Sequence, residues 1–210
     1  MVKKIPFVAN HADNMHCVNA IFRMVHRYFF GKDLSWQMID KLTHAISGKA
    51  TWTFIGEMEF VKKGLDVINI EPVDYQKLYE KGPEYLKEAA GKQTAQYYLE
   101  KSNIASVLSC IPEYLKTVKH ETRRASLEEI IGFLKRGALV GAEVNSRILN
   151  QKEGFDLHFV LLYDFDGKNF IVHDPGFPPI KSRKVDIKEF NQCFNFEGAN
   201  GEVVVFKTNL

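Results

Sequence analysis

The chain is 210 residues long, enough for one well-buried core, and its 45% hydrophobic and 26% charged content is ordinary for a globular protein. A formal net charge of +2, with no face concentrating Lys and Arg, gives no electrostatic case for a nucleic-acid partner. No apolar run reaches bilayer length, and the start Met1-Val2-Lys3-Lys4-Ile5-Pro6 has no apolar stretch or small-residue cleavage site behind it, so neither membrane insertion nor a secretory leader is expected.

The first half reads as helical. Asn14 is a good N-cap, and Cys17, Ala20, Ile21, Met24, Val25 and Tyr28 then share one helical stripe that Gly31 ends. A second helix is expected from Leu34 to Ile46 behind Asp33, and a third from Thr53 to Lys63 with Gly64 after it. Leu65 to Ile70 alternates apolar and polar residues as a short strand does. Residues 74 to 119 keep helical periodicity with breaks at Gly82-Pro83 and Gly91, which predicts two or three helices in an insertion or lid. Ser126 with Glu129 is a capping box ahead of Leu127, Ile130, Ile131 and Leu134.

From there the pattern changes to strands, at Ala138–Val144, Leu157–Phe165, Lys168–His173 and Glu202–Lys207, with one helix from Asp186 to Phe194. The Asp166-Gly167 pair predicts a hairpin. Helices followed by an antiparallel sheet make an α+β arrangement. The expected organisation is a single domain over residues 1 to 210, interrupted at 74 to 119.

Three residues in this frame carry a nucleophile's chemistry. Cys17 sits near a helix start, where unpaired N–H groups and the helix dipole favour the thiolate. His158 interrupts the beginning of an apolar strand, where a polar ring is unexpected unless it faces a site. Asp174 closes the partner strand before Pro175, and its offset from the turn predicts that it approaches His158 across the hairpin. A thiol, a base and a carboxylate to orient the base are the minimum for nucleophilic catalysis. Each also has a structural use: a buried Cys, a strand His on a carbonyl, a turn Asp before Pro. His11, Asp13, His16 and Cys17 cluster locally, but their spacing matches no common zinc pattern, and no metal or organic cofactor is expected. Cys110 and Cys193 have no evident partner. An odd, widely spaced set of three cysteines gives neither a zinc pair nor a disulfide framework and suits a reducing, cytoplasmic setting. His173 neighbours Asp174 but points to the other sheet face.

Pro6-Phe7-Val8-Ala9-Asn10, Cys17-Val18-Asn19-Ala20, Tyr28-Phe29-Phe30-Gly31, His158-Phe159-Val160 and Val172-His173-Asp174-Pro175 together resemble the bacteriocin-leader-processing cysteine peptidases and their stand-alone relatives. The resemblance covers both ends of the chain and leaves residues 74 to 119 without a counterpart. It implies a papain-like fold with Cys17 as nucleophile, His158 as general base and acid, and Asp174 as its orienter. In that family a Gln donates to the oxyanion; here the corresponding position is Asn10, one methylene shorter, with His11 as an alternative donor. Losing one such donor costs about 10²–10³ in rate. Val18 stands where Gly is usual after the cysteine.

The function expected is a cysteine hydrolase, a peptidase acting on a peptide or small amide through a Cys-His-Asp triad and a thioester. Interception of the thioester by an amine or thiol would make it an acyltransferase. The departures at Asn10 and Val18 favour a non-catalytic papain-like module that binds a peptide or protein partner. The sequence carries no signal for an oligomeric state.

Overall fold

In a computed structural model of the protein, the described residues are 4 to 208. Met1 to Lys3, part of the segment read above for a leader, lie outside them. Seven strands form one sheet: β1 (Leu65–Glu71), β2 (Lys119–Thr122), β3 (Leu139–Asn145), β4 (Leu157–Phe165), β5 (Asn169–Asp174), β6 (Ile180–Asp186) and β7 (Val203–Thr208). Their order is β2-β1-β7-β3-β4-β5-β6. The β1–β2 pair is parallel and the other neighbours are antiparallel.

The helices are α1 (Cys17–Phe30), α2 (Trp36–Thr43), α3 (Phe54–Lys62), α4 (Tyr75–Lys81), α5 (Leu86–Ala89), α6 (Lys92–Lys101), α7 (Ile104–Val107), α8 (Ile111–Thr117), α9 (Leu127–Lys135), α10 (Ser146–Leu149) and α11 (Ile187–Phe194). The α+β class read from the sequence is what the chain adopts. The segment 74 to 119 is helical as expected, but in shorter pieces, and it ends by adding β2 to the sheet.

Strand alternation divides the apolar residues between the two faces. Val67, Val204, Phe206, Phe159 and Leu161 pack with Ile21, Phe22, Phe54, Tyr75 and Tyr114 from the helices on one side. Val140, Val160, Val172, Val203 and Val205 pack with Ile130, Leu134, Phe190 and Phe194 of α9 and α11 on the other. Burying each such side chain is worth on the order of 2 kcal/mol before entropy is set against it. A sheet covered on both faces leaves its strand ends as the accessible edge of the core, and the conspicuous polar side chains gather at one of those ends.

α1 begins later than its sequence signal suggests. Asn14 adopts φ 60°, a left-handed turn closed by its N–H to His11 O at 2.9 Å, and His16 precedes the first helical residue, Cys17. Asparagine tolerates that conformation and here makes the turn instead of the cap. Gly31, left-handed at φ 69°, ends α1 where predicted. α2 is capped by Ser35, whose Oγ accepts from Met38 N, not by Asp33. The Ser126–Glu129 capping box is formed as read.

Candidate active site

The loop before α1 is tied to the end of β5. Asn10 N donates to Pro175 O at 2.8 Å, and His173 Nε2 lies 3.1 Å from Ile5 O. These two anchors lay residues 5 to 10 beside Asp174 and bring the N-terminus of α1 to the beginning of β4. Asn10 then braces the loop from within. Its Oδ1 accepts from His11 N (2.8 Å) and His16 N (3.0 Å), and one N–H of Nδ2 goes to Asn14 Oδ1 (3.1 Å). His16 is held at Nδ1 by Asp13 (2.9 Å) and lies 3.4 Å at Nε2 from Asp40 of α2. Cys17 is therefore delivered as the first residue of α1, with no side chain capping the N–H groups of that turn.

On the sheet side, His158 Nε2 lies 2.8 Å from Asp174 Oδ1, with both side chains buried. The pairing Leu161↔His173 sets Asp174 beside Val160, two positions along from His158. The expected approach across the hairpin is made as a diagonal on one face. A bulge between Leu162 and Asp164 moves the register by one residue, so that Asp174 falls opposite Val160 and not Leu161, a feature that turn counting cannot detect.

Asp174 is fixed by two more contacts. Gly176 N donates to Oδ1 at 3.0 Å, and Arg183 Nη1 to Oδ2 at 3.2 Å, while Arg183 also reaches Asn150 Oδ1 and the Leu149 carbonyl. Burial opposes ionisation of Asp174, but His158, the Gly176 N–H and Arg183 hold its carboxyl below the ordinary value. Gly176 is packed on the pair: a Cβ there would stand 3.0 Å from Asp174 Oδ1 and 3.2 Å from His158 Nε2.

Cys17 joins the group from the helix side: it and His158 line the same pocket, and the thiol acts on the imidazole electrostatically. Burial disfavours a charged imidazole, yet Asp174 and then Cys17 outweigh it and push His158 up to about 10. These partners favour the imidazolium, the form that can pair with a thiolate and protonate a leaving amine. Arg183 and Gly176 are the members that sequence reading missed. Arg183 lies in a charged edge strand and Gly176 in a Pro-Gly turn, and neither context signals chemistry.

Of the other sequence candidates, Asn10 has its Oδ1 and one Nδ2 N–H engaged within the loop, and its second Nδ2 N–H is not among those bonds. His173 spends both ring nitrogens on Ile5 O and Ser182 N (3.1 Å each) and packs on Phe7 and Tyr163. His11, Asp13 and His16 have ligand atoms within 4.8 Å of one another, an arrangement that their ion pairs account for. Cys193 is buried and pushed up to about 12 by that burial, as expected of a core thiol, and Cys110 is half-buried.

Beside Cys17 an open pocket with about 470 Å³ of empty space runs between α1, the 50–53 segment, α6 and the ends of β3 and β4. Trp52, Tyr97, Tyr98 and Phe159 form much of its lining, with Glu143 and Glu202 among its polar members. Tyr97 and Tyr98 come from α6, which thus forms a wall of this cleft. A Cβ at Gly141 would sit 2.6 Å from the Phe159 ring, so the glycine lets that ring lie flat on β3.

No protein-family model and no curated protein matches the sequence. Among solved structures, the chain is similar to a double glycine motif protease from an AMS/PCAT transporter, crystallised in complex with the leader peptide: 14% identity over 98% of this chain and 93% of that one, TM-score 0.47. It is also similar to the peptidase domain of Streptococcus ComA, a bi-functional ABC transporter involved in a quorum sensing pathway: 13% identity over 97% and 98%, TM-score 0.49. Likeness at this level decides no chemistry, which rests on Cys17, His158 and Asp174 themselves. Among the described residues, no helix is long and apolar enough to cross a membrane.

Proposed function

We propose that the protein is a papain-like cysteine peptidase acting on a peptide or small amide, with Cys17 as nucleophile, His158 as general acid and base, and Asp174 as the group that orients the imidazole. What supports this reading is the buried His158 Nε2–Asp174 Oδ1 contact of 2.8 Å beside a pocket that His158 shares with Cys17 at the start of α1. Cys17 Sγ attacks the carbonyl carbon, and the backbone N–H of Cys17 at the open helix start donates to the oxyanion. Asn10 is the second donor through the remaining N–H of Nδ2. The C–N bond then breaks, and the departing amine takes the proton from His158. Water attacks the thioester, gives its proton to His158, and releases the acid and Cys17. No metal or organic cofactor enters these steps. The chain is taken as one domain, supported by an apolar cluster that draws residues from Ile5 to Phe206, with α4 to α8 as the insertion. Three free thiols suit a reducing, cytoplasmic setting.

The engagement of Asn10 within its loop favours a second reading, a module that binds a peptide without cleaving it. A mixed peptide library separates the two, with new termini read by mass spectrometry. The wild type is expected to cut a subset of peptides, Cys17→Ala none, and hydroxylamine to divert the acyl product to a hydroxamate. Cleavage that survives Cys17→Ala contradicts the nucleophile. No cleavage by the wild type favours the binding module.

A further inference from the structure

The pocket beside Cys17 ends in polar atoms that the protein leaves without partners. Glu143 is 7% exposed and Thr51 6%, yet among the described residues Glu143 Oε1 and Thr51 Oγ1 have no hydrogen-bond partner. Both residues line the pocket. Leaving a buried acceptor unpaired costs about 1–3 kcal/mol, and more for a charged group, so two such atoms at one pocket call for a ligand that donates to them. In the β3–β4 ladder Glu143 is opposite Phe159, on the helix-covered face against which Cys17 packs, and Glu143, Cys17 and His158 line the one pocket.

The surroundings specify the kind of donor. Glu202, the second carboxyl of the pocket, is held by Thr53 and Asn69. Glu71 adds negative charge near Glu143, and Arg124, the guanidinium that acts on it, is also engaged with the Ala199 carbonyl. Tyr98 OH donates to the other Glu143 oxygen at 2.6 Å, which fixes the carboxyl and leaves the buried Oε1 without a partner. Walls of Trp52, Tyr97 and Phe159 present aromatic faces, which attract cations as well as aliphatic stems.

We infer that this pocket binds a positively charged substrate side chain, an ammonium or guanidinium on a slender aliphatic stem, with Glu143 Oε1 and Thr51 Oγ1 receiving its hydrogen bonds. This rests on the peptidase reading for what the site does with the substrate, since Cys17 and His158 fix where the acyl group lies. A basic residue of the substrate, next to the bond under attack, fills the pocket. Burial pushes Glu143 up to about 8, against Tyr98 and Arg124 and with Glu71, so a bound cation also supplies the charge this carboxyl needs in order to ionise.

The chain has two tryptophans, and the Trp52 indole N–H, bonded to Ser102 Oγ of the same pocket, is a reporter that needs no turnover. In ¹H–¹⁵N spectra at fixed ionic strength, n-butylammonium chloride is expected to shift the Trp52 indole signal saturably and leave that of Trp36 in place. Neutral 1-butanol is expected to bind about tenfold or more weakly, and Glu143→Gln to weaken n-butylammonium by about tenfold. Equal binding of 1-butanol, absence of any Trp52 shift, or undiminished binding in Glu143→Gln overturns the inference. The two probes compared on the wild type decide it even if Glu143→Gln fails to fold. A normal, unreactive Cys17 would remove the peptidase reading and leave this titration unaffected.

Discussion

His158 is a residue whose surroundings conflict until all its partners are counted. Burial alone would keep the ring neutral, but the Asp174 carboxylate on Nε2 and then the influence of Cys17 reverse that and push it up to about 10. Asp174 can act in this way because Gly176 and Arg183 keep it ionised and still. Replacing its carboxylate by an amide removes the hydrogen bond that does most to favour the imidazolium. In Asp174→Asn, the His158 ring is expected to titrate close to the ordinary 6.5, read by NMR of its Cε1–H. A midpoint still near 10 would mean that Cys17 alone sustains the charge. The three residues of the proposed triad were legible in the sequence through their order and through a histidine entering an apolar strand, since a helix cysteine and an Asp before Pro are each ordinary by themselves. Gly176, Arg183 and Glu143 were not, because a turn glycine, an edge-strand arginine and a strand glutamate are ordinary where they occur.

At the scale of elements, periodicity located what is half-buried and missed what is not. β4 runs from Leu157 to Phe165 as predicted, and α9 carries its capping box. β2 and β6 read as Lys-His-Glu-Thr and Ile-Lys-Ser-Arg-Lys-Val-Asp, without alternation, because they form the two edges of the sheet and face water along most of their length. Charged side chains on such edges discourage pairing with other chains, and the same chemistry hides the strand from a hydropathy reading. α9 packs on the sheet face opposite the cleft helices, so loss of its cap is expected to lower stability and spare the site. Ser126→Ala should cost about 1 kcal/mol in denaturant unfolding, with Cys17 alkylated at the wild-type rate. A slower alkylation would tie the α9 face to the site.

Across the whole molecule, the notable electrostatic feature is a buried set of four carboxyls, Glu57, Glu71, Glu143 and Glu202, laced together by Asn69, Asn200, Thr53, Tyr75, Tyr98 and Tyr114. Burial, before any other influence, pushes Glu57 and Glu71 up to about 7, Glu143 to about 8, and Glu202 well above its ordinary value. Folded-state values above the unfolded 4.5 mean that the folded chain holds more protons. The stability these groups contribute is full below about 4.5 and is lost as pH rises through 7 to 8. His158 works in the same direction between 6.5 and about 10. Asp13, Asp74 and Asp174, held below 3.8, contribute above that value and lose their contribution on acidification. Thermal unfolding is therefore expected at a higher temperature at pH 5.5 than at pH 8.5, and the reverse order would contradict protonated carboxyls in the core. The sequence shows the four glutamates but not their meeting, since they lie on α3, β1, β3 and just before β7, and long-range pairing alone brings them together.

The central claim is that Cys17 and His158 form one reactive pair. Its most direct measurement is the rate of Cys17 alkylation by iodoacetamide from pH 4 to 10, by mass spectrometry, in wild type and His158→Ala. A wild-type thiol that reacts well below the ordinary midpoint of about 8.5, with that reactivity abolished in His158→Ala, is the result predicted. An inert Cys17, or the same ordinary profile in both proteins, would contradict the pair and with it the enzyme.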